Sequence, residues 1–160
     1  MTKITVTRHQ DIDCGHRVVG HEGQCARLHG HTYRIHFTCM GEHLDSIGRV
    51  IDFGVIKARL CQWLLDNWDH RFLMWEKDPW LSITAEITIG QSKVLPGARE
   101  CTYIGAEEFG IVETPFNPTS ENIAQYLLQV VGPIVLADTG VTLVQVRVEE
   151  TRKCSAVAEL

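Results

Sequence analysis

Three histidines and one cysteine near the N-terminal end have the types and spacing of a metal site. His29 and His31 flank Gly30, and Cys25 precedes His29 by four residues. On an extended segment, side chains two residues apart point to the same face, so both imidazoles can reach one ion. His16, at the end of a predicted strand, could supply a third ligand. Three neutral ligands and an open position are typical of a catalytic zinc ion, with Cys25 beside it as a reactive acid or base.

Other interpretations of these residues stay open. Most His-x-His pairs have no metal role, so the signal depends on the combination with Cys25 and His16. Cys14, two residues before His16, could also be a ligand, although burial against a neighbouring strand is the simpler interpretation. Four further histidines are interpreted as ordinary surface or strand residues: His9, His21, His36 and His43.

Two pairs later in the chain could supply acid–base groups. Asp69 precedes His70 at the predicted end of a helix, where the helix dipole by itself favours a histidine. Glu149 and Glu150 end a predicted strand, and a pair of this kind is usually solvated. Neither pair alone indicates a functional site.

Composition excludes several classes of protein. The chain has 160 residues, 44% of them apolar, and a formal net charge of −5, so we expect one domain over residues 1–160. The negative charge argues against a nucleic-acid partner, because a phosphate backbone requires a basic surface. No apolar run reaches the roughly 18 residues of a membrane span, and the N-terminal alternation predicts a strand rather than a signal peptide. The six cysteines form no Cys-x-x-Cys pair, so we expect reduced thiols and a cytoplasmic protein.

Strands are predicted from the alternation of polar and apolar residues. They cover residues 2–14, 31–41, 50–51, 109–113, 141–148 and 155–160. On the second of these, Tyr33, Ile35, Phe37 and Cys39 would share the buried face, and Cys61 is a further core candidate.

Two amphipathic helices are predicted from helical spacing. One covers residues 53–68 after a cap at Asp52, and the other begins after Pro118 and the cap Thr119. The apolar face of the second helix would be Ile123, Leu127, Val130, Val131 and Ile134. Residues 75–115 are the least regular stretch, with loops and a short helix near 79–87. This order of elements predicts an α+β domain with helices on one face of an antiparallel sheet.

These motifs together resemble the family of 6-pyruvoyl-tetrahydropterin and 6-carboxy-tetrahydropterin synthases. The matching segments follow the family's order over most of the chain. They are His16, residues 25–31, Asp52 with Phe53, residues 65–73, residues 118–122 and residues 148–151. Two departures are residues 11–15, where the family has small and apolar residues, and residues 75–115, which form a longer insert than in compact members.

The resemblance implies a fold, an assembly and a substrate. The fold would be the T-fold, a four-stranded antiparallel sheet with two helices on one face that assembles into barrels. The homo-oligomer would be a hexamer of two trimers with active sites between subunits. The substrate would be the small molecule 7,8-dihydroneopterin triphosphate, and no nucleic acid or membrane would be a partner.

The resemblance also implies residue roles. Zn²⁺ would be held by three ligands, namely His16, His29 and His31. Catalytic roles would fall to Cys25 as general acid or base, to Asp69 and His70 as a relay, and to Glu150, which would also bind the pterin edge. Arg27 is a candidate for binding the triphosphate.

The reaction is predicted from the short spacing Cys-x-x-x-His-Gly-His. This spacing resembles that of the bacterial 6-carboxy-tetrahydropterin synthases of queuosine and 7-deazapurine biosynthesis, which release acetaldehyde and triphosphate. The alternatives are triphosphate elimination to 6-pyruvoyl-tetrahydropterin and a non-catalytic zinc-binding paralogue.

Overall fold

The computed structural model describes residues 3–81 and 110–160 of the chain. Within these ranges, six strands form one sheet. They are β1 (Thr5–His16), β2 (His29–Gly41), β3 (Phe72–Trp75), β4 (Ile111–Thr114), β5 (Val141–Glu149) and β6 (Ser155–Glu159). Their order across the sheet is β4-β3-β1-β2-β5-β6.

The strands β1, β2, β5 and β6 pair antiparallel and form the four-stranded sheet that the resemblance implied. The predicted α+β T-fold is therefore confirmed. The predicted strand count is wrong, because β3 and β4 extend the sheet in parallel at the outer edge of β1. β4 corresponds to the strand predicted at 109–113. β3 is apolar at all four positions, so it offers no alternation from which to predict a strand.

Helix α1 begins at Phe53 and confirms the first predicted helix to within one residue. It comprises Phe53–Ile56, a π-helical turn at Lys57–Cys61, and Gln62–Asn67. The Asp52 side chain caps it by accepting a hydrogen bond from the Gly54 amide at 2.7 Å. Its buried side chains recur at helical spacing and are Ile56, Leu60 and Leu64.

The short strand predicted at residues 50–51 does not form. The segment between β2 and α1 consists of turns and bends. Asp45 Oδ1 accepts hydrogen bonds from the amides of Ile47 and Arg49, and Gly48 has a φ of 88°. These local bonds compete with strand pairing for the backbone N–H groups.

Helix α2 begins after Thr119, whose side chain accepts a hydrogen bond from the Asn122 amide at 3.2 Å. It comprises Ser120–Tyr126, a π-helical turn at Leu127–Val131, and Gly132–Val135. The predicted apolar face is correct for Ile123, Leu127 and Val131, which are buried. It is wrong for Val130 and Ile134, which are 40% and 70% exposed. The π-helical turn has a wider repeat than an α-helix, so it rotates the residues that follow it away from the predicted face.

The core lies between the sheet and the two helices. Tyr33, Ile35 and Phe37 of β2 are at most 1% exposed and face the helices, as their alternation predicts. The predicted core cysteines Cys39 and Cys61 are fully buried, and Cys14 is 5% exposed, in agreement with a burial role. The cysteines within the described residues are free thiols.

Part of the predicted insert at 75–115 lies outside the described residues, as do Cys101 and most of the short helix predicted near 79–87. Trp80 and Leu81, at the start of that predicted helix, are helical. No helix within residues 3–81 and 110–160 is long and apolar enough to cross a membrane.

Candidate metal centre and active site

The pairing of β1 with β2 brings the three predicted metal ligands together. His16 lies directly opposite His29, and Cys14 lies opposite His31. His29 and His31 are two residues apart on β2, so both point to the helix side of the sheet, where His16 is also buried. The ligand nitrogens of the three histidines all lie within 4.8 Å of one another, a group that could hold a metal ion.

Two backbone carbonyls set the orientation of the imidazoles. His16 Nδ1 lies 2.6 Å from the Pro118 carbonyl oxygen, and His29 Nδ1 lies 2.7 Å from that of Arg27. A carbonyl oxygen can only accept, so in both rings Nδ1 carries the proton and Nε2 keeps a free lone pair. Metal-binding histidines in proteins are oriented by outer hydrogen bonds of this kind.

The third imidazole also fits a metal ion. His31 Nε2 is buried and has no hydrogen-bond partner among the described residues. A buried polar atom without a partner is destabilising unless something else binds it. Burial also lowers the pKa of His16, against an opposing effect of the Pro118 hydrogen bond, and lowers the pKa of His31. Both shifts favour the neutral imidazole, which is the form that binds a metal.

Glu150 and Tyr33 border the histidine group. Glu150 Oε1 lies 3.5 Å from His16 Nε2 and 3.8 Å from His31 Nε2. The Tyr33 hydroxyl lies 3.1 Å from His16 Nε2. Burial raises the pKa of Tyr33 well above its ordinary value, with a further contribution from the Cys14 and Glu150 side chains, so its hydroxyl remains a donor. A carboxylate and a phenol therefore lie against the open side of the metal ligands.

Cys25 lies in a short 3-10 helix (Gln24–Ala26) and is half-buried. Its carbonyl accepts a hydrogen bond from the Val18 amide at 2.8 Å, which holds the loop between β1 and β2 closed. The side chain lines a cavity of about 270 Å³ that it shares with Glu150, Thr119 and Cys154. This volume lies just below the ~300–1,000 Å³ of ligand pockets, so the cavity suits one small ring system.

The Asp69 and His70 side chains contact each other outside the Cys25 cavity. His70 Nδ1 lies 2.9 Å from Asp69 Oδ2, and Asp69 Oδ1 accepts a hydrogen bond from the Asp13 amide at 3.0 Å. The His70 side chain is 77% exposed, and its φ of 55° is rare for a residue with a side chain. His70 lines a shallow depression together with Thr32 and the candidate metal ligand His31, and neither Asp69 nor His70 is among the residues that line the Cys25 cavity. The structure therefore does not bring this pair and Cys25 together within one chain.

Arg27 contributes to the site through its backbone. Its carbonyl orients His29, as described above, and its side chain is exposed. Within the described residues the Arg27 side chain makes no ion pair, so its predicted role with the triphosphate remains a prediction.

Some of the site's neighbours are not apparent from the sequence. His16 and His29 are oriented by the backbone carbonyls of Pro118 and Arg27. Every residue has such a carbonyl, so the residue type does not indicate this role. Tyr33 does have a signal, because it follows His31 by two residues on the same strand and must therefore share its face. Cys154 lines the cavity because the turn between β5 and β6 places it there, which its sequence position does not indicate.

Comparison with known proteins identifies the family. A family model described as 6-pyruvoyl tetrahydropterin synthase matches residues 5–160. The chain belongs to this family. A relative from Rickettsia typhi, a 6-carboxy-5,6,7,8-tetrahydropterin synthase, is 32% identical over 151 residues, which cover 94% of this chain and 96% of the relative.

Solved structures with the same fold include two with 22% identity to this chain. An uncharacterized protein from Wolinella succinogenes superposes with a TM-score of 0.80 and covers 99% of both chains. The 6-pyruvoyl tetrahydropterin synthase of Caenorhabditis elegans superposes with a TM-score of 0.65 and covers 100% of this chain and 97% of its own. At this level of identity, the two structures bear on the fold alone.

Proposed function

We propose that this member of the family is a zinc-dependent 6-carboxy-5,6,7,8-tetrahydropterin synthase. It converts 7,8-dihydroneopterin triphosphate and one water molecule to 6-carboxy-5,6,7,8-tetrahydropterin, acetaldehyde and triphosphate, and so acts as a carbon–carbon lyase. The observation that carries the proposal is the group of His16, His29 and His31 with Glu150 against it. The name of the Rickettsia typhi relative supports the choice of product.

His16 and His29 would hold the metal through the Nε2 atoms that their carbonyl hydrogen bonds leave free, and His31 would supply the third ligand. Bound zinc supplies Lewis-acid polarisation of oxygen atoms on the substrate side chain. Zn²⁺ suits this set of three neutral nitrogen ligands with room for a further ligand. Glu150 adjoins the histidine group and also lines the Cys25 cavity, so it connects the two parts of the proposed site.

Glu150 binds the pterin ring. A carboxylate can accept two hydrogen bonds from adjacent N–H groups, and the pterin edge presents an amino group beside a ring N–H. Glu150 lies at the end of β5, where it contacts the histidine group and also lines the Cys25 cavity. It therefore holds the ring so that the side chain of the substrate lies towards the histidines.

Cys25 moves protons at the substrate side chain. It is half-buried in the same cavity as Glu150, which excludes bulk water from one side of the thiol. A thiol at this position can act as a general acid or base on the substrate side chain. Cys25→Ala should retain zinc and lose turnover.

Asp69 and His70 serve the site of a neighbouring subunit. The His70 side chain is 77% exposed, so a second subunit can reach it, and its Nδ1 atom lies 2.9 Å from Asp69 Oδ2. A histidine held by a carboxylate in this way can relay a proton. The proposed assembly is a homohexamer in which each active site takes Cys25 from one subunit and His70 from the next.

Mixed oligomers test this arrangement. Cys25→Ala and His70→Ala proteins should each be inactive, but subunits mixed in equal amounts should regain roughly a quarter of the sites if the site spans two subunits. Mixtures that remain inactive after verified subunit exchange would show that Cys25 and His70 act within one chain. Native mass spectrometry of the wild-type protein measures the number of subunits.

Product identification tests the reaction itself. Zinc-loaded protein is incubated with 7,8-dihydroneopterin triphosphate, and the products are identified by mass spectrometry. Acetaldehyde with 6-carboxy-5,6,7,8-tetrahydropterin supports the proposal, whereas a 6-pyruvoyl product places the chain with the triphosphate-eliminating members. Zinc binding without turnover would indicate a non-catalytic paralogue.

The proposed role is in queuosine and 7-deazapurine biosynthesis in the cytoplasm.

A further inference from the structure

Tyr33 lies between two of the metal ligands and Glu150. It is 1% exposed, and its ring packs edge-on against His16 at 5.8 Å and against His31 at 5.5 Å between ring centroids. Its hydroxyl lies 3.1 Å from His16 Nε2, and Glu150 Oε1 lies 3.5 Å from the same nitrogen. The phenol and the proposed pterin-binding carboxylate therefore lie beside the same nitrogen of the candidate metal-binding group.

The Tyr33 hydroxyl has one proton and two neighbouring acceptors. His16 Nε2 is an acceptor, because the His16 proton is on Nδ1, where it bonds the Pro118 carbonyl. The Glu150 carboxylate is the other neighbouring acceptor, because its Oε1 lies 3.5 Å from His16 Nε2. Without a metal ion, the hydroxyl can donate to either of them.

A metal ion on His16 removes one of these acceptors, because it takes the lone pair of Nε2. We infer that Tyr33 is a positioning residue, which donates its hydroxyl proton to Glu150 once His16 binds a metal and so aligns the Glu150 carboxylate for the pterin ring. A buried hydroxyl without an acceptor is destabilising, so the donation to Glu150 follows directly from metal binding.

This inference rests on the proposed function and adds to it a coupling between the binding of the metal and the binding of the pterin. Metal binding and pterin binding reinforce each other through Tyr33, although Tyr33 contacts neither the metal nor the reacting carbons. By linkage, a pterin bound to Glu150 would tighten metal binding by the same factor.

The coupling is measured with pterin itself, the bicyclic ring without a side chain, so that the probe has no hydroxyl chain for the metal. Its dissociation constant is measured by fluorescence titration for zinc-loaded and chelator-treated protein. We expect wild-type protein to bind pterin about tenfold more tightly when loaded with zinc, the effect of one hydrogen bond to a charged group. In Tyr33→Phe the two dissociation constants should be equal, and with the full substrate KM should rise while kcat changes little.

Tyr126→Phe is the matched control. Tyr126 is a partly buried tyrosine that packs against Trp68 and Phe116, away from the histidine group. This variant should retain the wild-type response to zinc. Zinc content and melting temperature are measured for every preparation.

A second measurement requires no change at Tyr33. Zinc added to wild-type protein should shift an infrared carboxylate band, and Glu150→Gln should remove that shift. A Tyr33→Phe protein that keeps the zinc dependence of pterin binding, or a wild-type protein without the infrared shift, overturns the inference but leaves the proposed function intact. A wild-type protein that binds no pterin, with or without zinc, overturns both.

Discussion

His16 Nδ1 lies 2.6 Å from the carbonyl oxygen of Pro118, the residue just before the N-cap of α2. This bond joins the last residue of β1 to the start of a helix 102 residues later in the chain. It also determines which nitrogen of His16 is free to bind a metal. The residue that precedes α2 therefore orients one of the three candidate metal ligands.

The cap of α2 should accordingly affect zinc binding. Thr119→Ala removes the side chain that accepts from the Asn122 amide, so we expect the free energy of unfolding to fall by about 1 kcal/mol. The zinc affinity should fall on the order of tenfold, because the Pro118 carbonyl is no longer held in place. Chemical denaturation measures the first effect, and competition with a chelator measures the second.

Asp52→Ala is the control for this prediction. Asp52 caps α1 through the Gly54 amide, and its loss should cost a similar free energy of unfolding. The zinc affinity should remain that of the wild type, because α1 supplies no hydrogen bond to the histidines among the described residues. Equal zinc affinities in the two variants would contradict the link between the α2 cap and His16.

Removal of one imidazole should release the metal. His31→Ala takes away a ligand and leaves two, so bound zinc should fall from about one equivalent per chain to a small fraction after dialysis. His36→Ala is the matched control, since His36 is on the same strand but on the outward face, where its Nε2 lies 3.0 Å from Glu149 Oε1. Elemental analysis gives both zinc contents, and a His31→Ala protein that retains full zinc would refute the predicted ligand set.

The close approach of His16, His29 and His31 could be predicted from the sequence because strand geometry is simple. Alternation alone places His29 and His31 on one face, and the short connection from His16 allows β1 and β2 to pair. The groups that orient these ligands could not be predicted, because a carbonyl such as that of Pro118 has no residue-type signature. The exposure of the His70 side chain could not be predicted either. His70 has a left-handed backbone conformation, and no pattern in the sequence indicates this conformation at a histidine.

Helix α2 shows a second limit of periodicity. The π-helical turn at Leu127–Val131 changes the helical repeat, so residues beyond it leave the predicted face. Leu127→Ala should lower the free energy of unfolding by about 2–5 kcal/mol, because Leu127 is fully buried. Ile134→Ala, at a position 70% exposed, should change it by less than about 0.5 kcal/mol. Urea denaturation of both variants measures these free energies of unfolding. A large loss of stability in Ile134→Ala would mean that Ile134 lies on the buried face, as uninterrupted α-helical spacing predicts.

Cys14 should make the folded state sensitive to alkali. Burial raises the pKa of this thiol from its ordinary value of 9.0 to about 12. The folded state thus holds the proton more tightly than the unfolded state, so the contribution to stability is complete below about pH 9 and is lost as the pH rises towards 12. The urea midpoint of the wild-type protein should therefore fall with rising pH above about pH 9.

Cys14→Ala should reduce this decline without abolishing it, because burial also raises the pKa of Cys39 to about 11. Cys154→Ala changes an exposed thiol and should leave the decline as in the wild type. Identical pH dependence in the two variants would rule out a contribution from Cys14.

A buried ion pair fixes the chain directly after His16. Arg17 Nε lies 3.0 Å from Asp78 Oδ2, and the two side chains are 9% and 0% exposed. The Arg17 guanidinium also lies over the Trp80 ring at 4.2 Å from its centroid. These contacts hold the segment after β3 against the residue that follows the metal ligand His16.

Asp78→Ala should be strongly destabilising, because it leaves the Arg17 charge buried without a counter-charge. We expect a loss of about 3–5 kcal/mol in the free energy of unfolding. The double variant Arg17→Met with Asp78→Leu removes both charges and should regain most of that loss, since apolar side chains can replace a buried pair. Arg34→Met, which removes one partner of the exposed pair with Asp11, should change the free energy of unfolding very little, because water screens the charges of an exposed pair. A double variant as unstable as Asp78→Ala alone would mean that contacts other than charge pairing stabilise this segment.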